Sequence, residues 1–195
     1  MMLPLEERAR RYASQAHAAQ GRRRKYTAEP YIMHPAAVAK LVRSVLPEDE
    51  AALAAAWLHD TIEDTAATPA DIAARFGHEV ARLVMMVTNP TAPPGLNRAQ
   101  RKRLNFAHTA RACSRAQTIK LADIIDNTRE ILLYDPAFAR LYLLEKQIQL
   151  QGLSQGDARL RHTAVNIITN SMARLMGPPW CVSAAWFSKK ALEYL

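Results

Sequence analysis

The stretch AAWLHDTIEDT, residues 55–65, places one imidazole and three carboxylates within six positions, directly after a run of small and apolar residues. If this stretch is a continuous α-helix, the side chains of His59, Asp60, Glu63 and Asp64 project into one arc of about 140°. Like charges three and four positions apart repel each other, and partly buried carboxylates are costly unless they are neutralised. A solvated acidic helix end would avoid this cost, but the preceding EDEAALAAAWL argues against one. The pattern therefore predicts a cation bound against the four side chains.

Two further segments offer ligands that would complete a site around such a cation. PYIMHP supplies His34 where a loop becomes a helix, and TIKLADIIDNTREIL supplies Asp123 inside an otherwise apolar helix. Together with His59 and Asp60 they form a mixed nitrogen–oxygen set, which suits Mn²⁺, Fe²⁺, Co²⁺ or Zn²⁺. The set is too rich in nitrogen for Ca²⁺ and lacks the thiolates of a structural zinc site. The remaining histidines have no comparable acidic setting and are predicted to be structural or exposed: His17, His78, His108 and His162.

The net charge of the 195-residue chain is +8, and two basic runs stand out, GRRRK at 21–25 and RAQRKR at 98–103. Such runs suit nucleic acid, an anionic surface or a small molecule rich in phosphate. The sequence has no zinc-finger spacing, no aromatic RNA-binding signature and no clear helix-turn-helix. Charge alone therefore leaves the class of partner open.

The sequence also bears on the cellular compartment. The start MMLPLEERARRYASQ is charged early and amphipathic, unlike a signal peptide, and no apolar run approaches the length of a membrane span. The two cysteines, Cys113 and Cys181, have neither metal nor redox spacing. We therefore expect a cytoplasmic protein without a membrane partner.

Helical periodicity dominates almost everywhere, and no stretch shows sustained strand alternation, so the predicted fold is all-α. Thr68, Pro69 and Asp71 mark a capped helix start, Pro136 marks another, and Gly77 and Gly177 mark helix ends. The predicted helices cover about 5–20, 35–46, 48–64, 69–76, 78–89, 98–112, 116–133, 136–152 and 157–176.

The last residues, 178–195, differ in composition and contain two of the three tryptophans. We therefore divide the chain into one domain at 1–177 and a tail at 178–195 of unknown role. The tail could be disordered, or its apolar side chains could pack on the domain or on a second subunit, which would make a homodimer: Trp180, Trp186, Phe187 and Leu192.

Three motifs together carry a family resemblance. HPAAVAKLV, AAWLHDTIEDT and IKLADIIDNTREIL, in this order and at these intervals, resemble the hydrolase domain of the RelA/SpoT alarmone enzymes, a branch of the HD-type metal-dependent phosphohydrolases. The dipeptide HD alone would be a weak signal, but the combination is highly specific. The resemblance covers about residues 5–176 and implies an HD-domain bundle of about eight to ten helices.

The resemblance implies a reaction as well as a fold. His34, His59, Asp60 and Asp123 would hold one Mn²⁺, and water would attack the phosphorus on the 3′ oxygen of a (p)ppGpp-type alarmone. Glu63 and Asp64 would orient the water and handle protons. The products would be GDP or GTP and pyrophosphate, which makes the chain a 3′-pyrophosphohydrolase.

The resemblance also gives the basic residues a use, because the substrate is a purine 3′-pyrophosphate with several negative charges. Arg24 and Lys25 match the family's Arg-Lys pair near the nucleotide, and Asn127 matches a substrate-contacting asparagine. Lys120 falls one turn before Asp123 on nearly the same helical face.

Several alternative functions stay open on the sequence. Many relatives have a small hydroxyl residue where this chain has Glu130, so an adenosine alarmone, (p)ppApp, is the closest competing substrate. A nucleoside monophosphate and the 2′-phosphate of NADPH are others. A basic helical module for RNA is the alternative outside enzymes. It predicts salt-dependent nucleic-acid binding and indifference to His59 and Asp60, and we expect no nucleic-acid partner.

Overall fold

The computed structural model describes residues 3–195, which form twelve α-helices and one 3-10 helix and no β-strand. Ten of the α-helices have eight residues or more, which confirms the predicted all-α bundle. No helix within these residues combines the length and apolarity needed to cross a membrane. The α-helices are α1 (Leu5–Ala19), α2 (Met33–Arg43), α3 (Glu50–Leu58), α4 (Thr61–Asp64), α5 (Pro69–Phe76), α6 (His78–Val87), α7 (Arg98–Ala110), α8 (Ser114–Thr128), α9 (Ile131–Tyr134), α10 (Pro136–Gly152), α11 (Ala158–Met176) and α12 (Ala184–Ala191).

Two helices form the centre of the bundle. In α3, every residue from 52 to 58 is buried, and in α8 every residue from 116 to 125 is buried. Helix α8 packs against α2, α3, α6 and α11, while α3 packs against α1, α2 and α6. Because these helices are buried on most faces, any polar side chain they carry must find a partner inside the protein.

The predicted helix 48–64 is wrong in one respect, because it breaks at the His59-Asp60 pair. Helix α3 ends at Leu58, and Asp60 has φ −100° and ψ −2° before α4 begins. Side chains satisfy the last carbonyl groups of α3: His59 Nδ1 lies 2.8 Å from Ala56 O, and the Thr61 hydroxyl donates to Leu58 O at 2.7 Å. The polar side chains of this stretch therefore do not share one continuous helical arc.

The predicted helix 116–133 is interrupted in the same way. Helix α8 ends at Thr128, and Glu130, with φ −123° and ψ 3°, precedes the single turn of α9. The Thr128 hydroxyl donates to Ile124 O at 2.6 Å and competes for the carbonyl groups of the last turn. The expectation that Glu130 lies on the same helix as Asp123 is therefore wrong.

The predicted helix boundaries at 68–77 and 135–136 are confirmed. Thr68 and Asp71 form a reciprocal capping box with Pro69 in the first turn, and Gly77 ends α5 with φ 90°. The Asp135 carboxylate accepts from Phe138 N at 3.0 Å and caps α10 directly before Pro136. The same carboxylate contacts Tyr26, so this cap lies beside the loop that precedes α2.

The tail contains α12 and the 3-10 helix Leu192–Tyr194. Phe187 and Tyr194 are each 7% exposed, and the Tyr194 hydroxyl donates to Glu145 Oε1 at 2.7 Å. Leu192 is 65% exposed and takes no part in this packing. Of the alternatives for the tail, the structure therefore shows packing on the protein's own helices, while the domain division at 177 and a homodimer stay predictions.

Candidate active site

Four side chains predicted as metal ligands meet at one point between the central helices. His34 lies in the first turn of α2, His59 and Asp60 lie at the break between α3 and α4, and Asp123 lies in the middle of α8. His34, His59 and Asp123 are buried, and Asp60 is partly buried. The helix break is what allows the adjacent residues His59 and Asp60 to point to the same place.

The ligand atoms of these four residues converge closely. Nε2 of His34 lies 3.1 Å from Nε2 of His59, 3.3 Å from Asp123 Oδ1 and 3.5 Å from Asp60 Oδ2. Nε2 of His59 lies 3.1 Å from Asp60 Oδ2 and 4.0 Å from Asp123 Oδ1. One ligand atom each from His34, His59 and Asp60 lies within 4.8 Å of the other two, and Asp123 approaches this group from the side of the histidines without belonging to it. Two nitrogen atoms and one oxygen atom therefore surround one small space, with an oxygen of Asp123 next to the two nitrogen atoms.

The tautomers of the two histidines test whether a cation fits this space. Nδ1 of His34 lies 2.6 Å from an oxygen of Asp126, and Nδ1 of His59 lies 2.8 Å from the carbonyl oxygen of Ala56. Both Nδ1 atoms face acceptors and must donate, so in the neutral imidazoles both Nε2 atoms carry lone pairs. Two lone pairs 3.1 Å apart repel each other unless a proton or a metal ion lies between them. The donor set fits a divalent transition metal.

Without a metal ion, the charges of the site favour a proton on His34. Burial opposes charge on His34, but Asp123, Asp126 and Asp60 outweigh it and raise the pKa of His34 well above its ordinary value. Burial likewise opposes charge on Asp60, yet His59 and His34 hold the pKa of this carboxyl well below its usual range. Lys120, with His34 and His59, overcomes burial in the same way and lowers the pKa of Asp123. These carboxylates are therefore ionised beside His34, His59 and Lys120, and a divalent metal ion would replace the proton as the positive charge between the histidines.

Three further side chains orient the carboxylates. The Tyr31 hydroxyl donates to Asp60 Oδ2 at 2.6 Å, and burial together with Asp60 raises the pKa of this phenol, so it stays a donor. Lys120 Nζ lies 2.8 Å from Asp123 Oδ2, and Asn127 Nδ2 donates to Asp123 Oδ1 at 2.5 Å. Lys120 and Asn127, predicted to bind substrate, therefore also fix the direction of Asp123.

The two predicted catalytic carboxylates belong to α4, directly after Asp60. Both oxygens of Glu63 accept from Asn89, one from its backbone N–H at 2.7 Å and the other from its side chain at 2.8 Å. Asp64 lies 2.5 Å from a guanidinium nitrogen of Arg22. Each carboxylate is thus held by one partner from a neighbouring loop.

A cavity of about 340 Å³ lies beside the four ligands, and we name it the base cavity. The predicted substrate residues Arg24, Lys25, Asn127 and Glu130 line it, together with Asp126. Its other walls are largely aromatic: Tyr26, Tyr31, Tyr134, Phe138 and Tyr142. Tyr31 and Asn127 also contact the predicted ligands Asp60 and Asp123, so the base cavity and the ligand cluster share walls.

Three lysines, Lys102, Lys120 and Lys146, form a second feature near Asp123, and we name them the lysine trio. Lys120 and Lys146 are buried and Lys102 is partly buried. Burial and the charge of Lys120 lower the pKa of Lys146 to about 7. Lys146 donates to the side-chain oxygen of Gln149 at 3.0 Å, and among residues 3–195 neither Lys146 nor Lys102 pairs with a carboxylate. Lys102 and Lys146 therefore have no carboxylate partner among these residues, whereas Lys120 pairs with Asp123.

Sequence reasoning missed several residues of the site. Asp126 contacts both His34 and Arg24, and its spacing of three from Asp123 in KLADIID is a signal that could have found it. Arg22 and Asn89 carried no comparable signal, because their partners belong to other segments. Of the histidines expected to be structural, His17 is 1% exposed and packs on Tyr31 with ring centroids 4.7 Å apart.

Comparison with known proteins gives several matches. The HD domain family matches residues 9–143. The guanosine-3′,5′-bis(diphosphate) 3′-pyrophosphohydrolase MESH1 of Xenopus tropicalis is 37% identical over 124 residues, which are 63% of this chain and 67% of that protein. A probable guanosine-3′,5′-bis(diphosphate) 3′-pyrophosphohydrolase of Synechocystis is 39% identical over 128 residues, 64% of this chain but 16% of that protein.

A solved structure shows that the similarity extends to the fold. The structure described as a metazoan ortholog of SpoT that hydrolyzes ppGpp superposes with a TM-score of 0.75 at 30% identity. The match covers 87% of this chain and 97% of that structure. Because the matched residues 9–143 span more than half of the chain, and contain all four predicted ligands, this protein belongs to the HD-domain family.

Proposed function

We propose that this protein is a metal-dependent 3′-pyrophosphohydrolase of (p)ppGpp-type alarmones, which releases GDP or GTP and pyrophosphate. The observation that carries the proposal is the position of the ligand cluster, with the base cavity on one side and the lysine trio near Asp123. A nucleotide with a purine and several phosphates needs these three parts together. The names of the MESH1 relatives and the ppGpp hydrolysis ascribed to the metazoan SpoT ortholog support the same substrate class.

One Mn²⁺ held by His34, His59, Asp60 and Asp123 is the proposed cofactor. When bound, a divalent ion supplies Lewis acidity that makes water a better nucleophile at neutral pH. Tyr31, Lys120 and Asn127 keep the carboxylates oriented for this role through their hydrogen bonds and ion pair. The nitrogen-containing donor set supports a transition metal over Ca²⁺ or Mg²⁺.

Glu63 and Asp64 are the proposed proton-handling groups. Asn89 fixes both oxygens of Glu63, and Arg22 fixes Asp64, so neither carboxylate needs to reorganise when water attacks. A carboxylate in a fixed direction can accept a proton from water and later pass it to the 3′ oxygen of the leaving nucleoside. Both residues follow the ligand Asp60 within one turn of α4, which supports their placement beside the reacting phosphorus.

The basic residues provide the binding energy for the phosphates. Lys102 and Lys146 can neutralise the pyrophosphate attached to the 3′ oxygen, because neither pairs with a carboxylate among residues 3–195 and a phosphate beside them would favour their protonated forms. Arg24 and Lys25 line the base cavity, where the purine and the 5′-phosphates would lie. Arg24 is held at 3.1 Å by Asp126 and at 3.4 Å by Asn127, so its guanidinium plane is fixed before substrate arrives.

An adenosine alarmone is the second candidate substrate, and one observation favours it. Glu130 lines the base cavity even though it does not lie on α8. A carboxylate accepts hydrogen bonds and cannot donate them, so it suits an adenine amino group better than a guanine carbonyl. Hydrolysis of the NADPH 2′-phosphate is an alternative without a specific contact in its favour.

A substrate panel tests the proposal. Protein stripped of metal and reloaded with stoichiometric Mn²⁺ is incubated with guanosine and adenosine tetra- and pentaphosphates and with NADPH, and the products are resolved by chromatography. We expect GDP or GTP together with pyrophosphate, and no turnover in EDTA. Release of single phosphates, or turnover of none of these nucleotides, would contradict the proposal.

A further inference from the structure

Two tyrosines from distant segments stack at the exposed end of the base cavity, and we name them the tyrosine pair. The rings of Tyr26 and Tyr134 have centroids 5.5 Å apart and planes 4° apart. Tyr26 belongs to the loop before α2, and Tyr134 is the last residue of α9. Both line the base cavity, and Tyr134 remains 42% exposed. Tyr134 therefore has surface left open to a ligand in the cavity.

Asp135 holds this arrangement together. Its Oδ2 accepts from the Tyr26 hydroxyl at 3.0 Å and from Lys25 Nζ at 3.4 Å, while its Oδ1 caps α10 through Phe138 N. Lys25 Nζ also lies 4.7 Å from the centroid of the Tyr26 ring. One carboxylate thus ties the side chains of the loop to the start of a long helix.

The two ends of the base cavity differ in chemistry. At the inner end, Arg24 is bonded to Asp126, which itself contacts the metal ligand His34. At the outer end, the stacked rings of Tyr26 and Tyr134 line the cavity, and the two charged groups beside them, Lys25 and Asp135, are bonded to each other and to the Tyr26 hydroxyl. Stacking of a base on an aromatic side chain contributes about 1–3 kcal/mol and tolerates any base, because every base has a π-face.

We propose that the tyrosine pair is a specificity-determining element that closes the base cavity and binds the purine by stacking, with Asp135 as its anchor. This inference rests on the proposed function, since it concerns the base of the same nucleotide. The pair makes the site select substrates that carry a planar base, while the ligand cluster and the lysine trio recognise the phosphates. It does not itself choose between guanine and adenine.

Binding of the two proposed reaction products separates these contributions. Isothermal titration calorimetry on the Mn²⁺-loaded protein measures the Kd of GDP, which has a base, and of inorganic pyrophosphate, which has none. For Tyr26→Ala and Tyr134→Ala, we expect the Kd of GDP to rise roughly 5- to 150-fold, the equivalent of the stacking energy. The Kd of pyrophosphate should stay within about twofold, which also shows that the variants are folded.

Two variants serve as controls. Tyr26→Phe keeps the ring and loses the hydroxyl's bonds to Asp135 and Lys25, so its Kd for GDP should rise less than that of Tyr26→Ala. Leu133→Ala removes a residue that is 75% exposed, adjacent to Tyr134 and outside the base cavity, and should bind GDP like the wild type. If GDP binding is unchanged in both alanine variants, the role of the tyrosine pair in binding the base is wrong, but the proposed function is not affected. If the wild-type protein binds neither GDP nor pyrophosphate, both the proposed function and the role of the tyrosine pair are wrong.

Discussion

Oδ2 of Asp126 lies 2.6 Å from Nδ1 of His34, and the same oxygen lies 3.1 Å from a guanidinium nitrogen of Arg24. One carboxylate therefore fixes the tautomer of a proposed metal ligand and the position of a proposed substrate residue. Partners of this kind, behind a metal-binding histidine, typically change metal affinity or activity about 10- to 100-fold when they are removed. Asp126 of α8 therefore links the ligand cluster, through His34 of α2, to the base cavity, through Arg24.

Asp126→Ala should weaken Mn²⁺ binding about 10- to 100-fold and also raise KM, because both His34 and Arg24 lose a partner. Asp126→Asn keeps an acceptor for His34 Nδ1 and should recover part of the metal affinity. Competition with a fluorescent chelator measures the affinity directly. Glu48→Gln removes a carboxylate from an exposed position elsewhere and is the matched control. Equal affinity in Asp126→Ala and Glu48→Gln would contradict the role given to Asp126.

His59→Ala and Asp60→Ala should abolish hydrolysis and most metal binding, because each removes one of four converging ligand atoms. The measurement is elemental analysis after metal depletion and stoichiometric return of Mn²⁺, followed by a turnover assay. Wild-type turnover in either variant under these conditions would exclude the ligand assignment. His162→Ala, which changes a histidine outside the site, is the control for the loss of an imidazole.

Glu63→Gln and Asp64→Asn should behave differently from the ligand variants. We expect metal content to stay at the wild-type level and kcat to fall roughly 10²- to 10⁴-fold, the range for loss of a general acid or base. Asn89→Ala should cause a smaller fall, since it leaves the Glu63 carboxylate in place but removes its side-chain donor. If either carboxylate variant loses its metal, that residue is a ligand and not a proton-handling group.

Lys146 predicts a particular dependence of stability on pH. Burial and Lys120 lower its pKa from 10.5 to about 7, so the folded state binds fewer protons than the unfolded state between these values. The free-energy cost of burying the charged Lys146 side chain is therefore complete below about pH 7 and is relieved as the pH rises towards 10.5. Lys146→Met removes this cost, so the variant should have a higher free energy of unfolding than the wild type at pH 7. This difference should shrink between about pH 7 and pH 10. Urea unfolding of both proteins at several pH values measures this difference, and a constant difference would contradict the shift.

The parts of the site that lie close together in sequence were the predictable ones. His59 and Asp60 are adjacent, and Lys120, Asp123 and Asn127 share one face of a helix, so spacing alone relates them. The helix break at His59-Asp60 could not be predicted, because apolar periodicity continues through it and the side-chain bonds to Ala56 O and Leu58 O decide it. The stacking of Tyr26 on Tyr134 and the bond from Tyr194 to Glu145 join distant segments, and no local pattern encodes such contacts.

Glu130 tests the choice between guanine and adenine. It lines the base cavity with Asn127 and Arg24, and the Arg24 guanidinium can stack on either purine without choosing between them. Choice requires a group that meets the six-position edge, where guanine presents a carbonyl and adenine an amino group. An ionised carboxylate accepts from the amino group and repels the carbonyl, so Glu130 should admit adenosine alarmones.

A hydrogen bond with a charged partner contributes about 1.5–3 kcal/mol, which corresponds to roughly 10- to 150-fold in relative kcat/KM. The measurement is kcat/KM for guanosine and adenosine tetraphosphate in the wild type, Glu130→Thr and Glu130→Gln. Glu130→Thr should shift the ratio towards guanosine because it removes the repelling charge. Glu130→Gln should shift it too, since the amide can also donate to the guanine carbonyl. If both ratios stay within about twofold of the wild-type value, Glu130 is only a surface charge at the edge of the cavity.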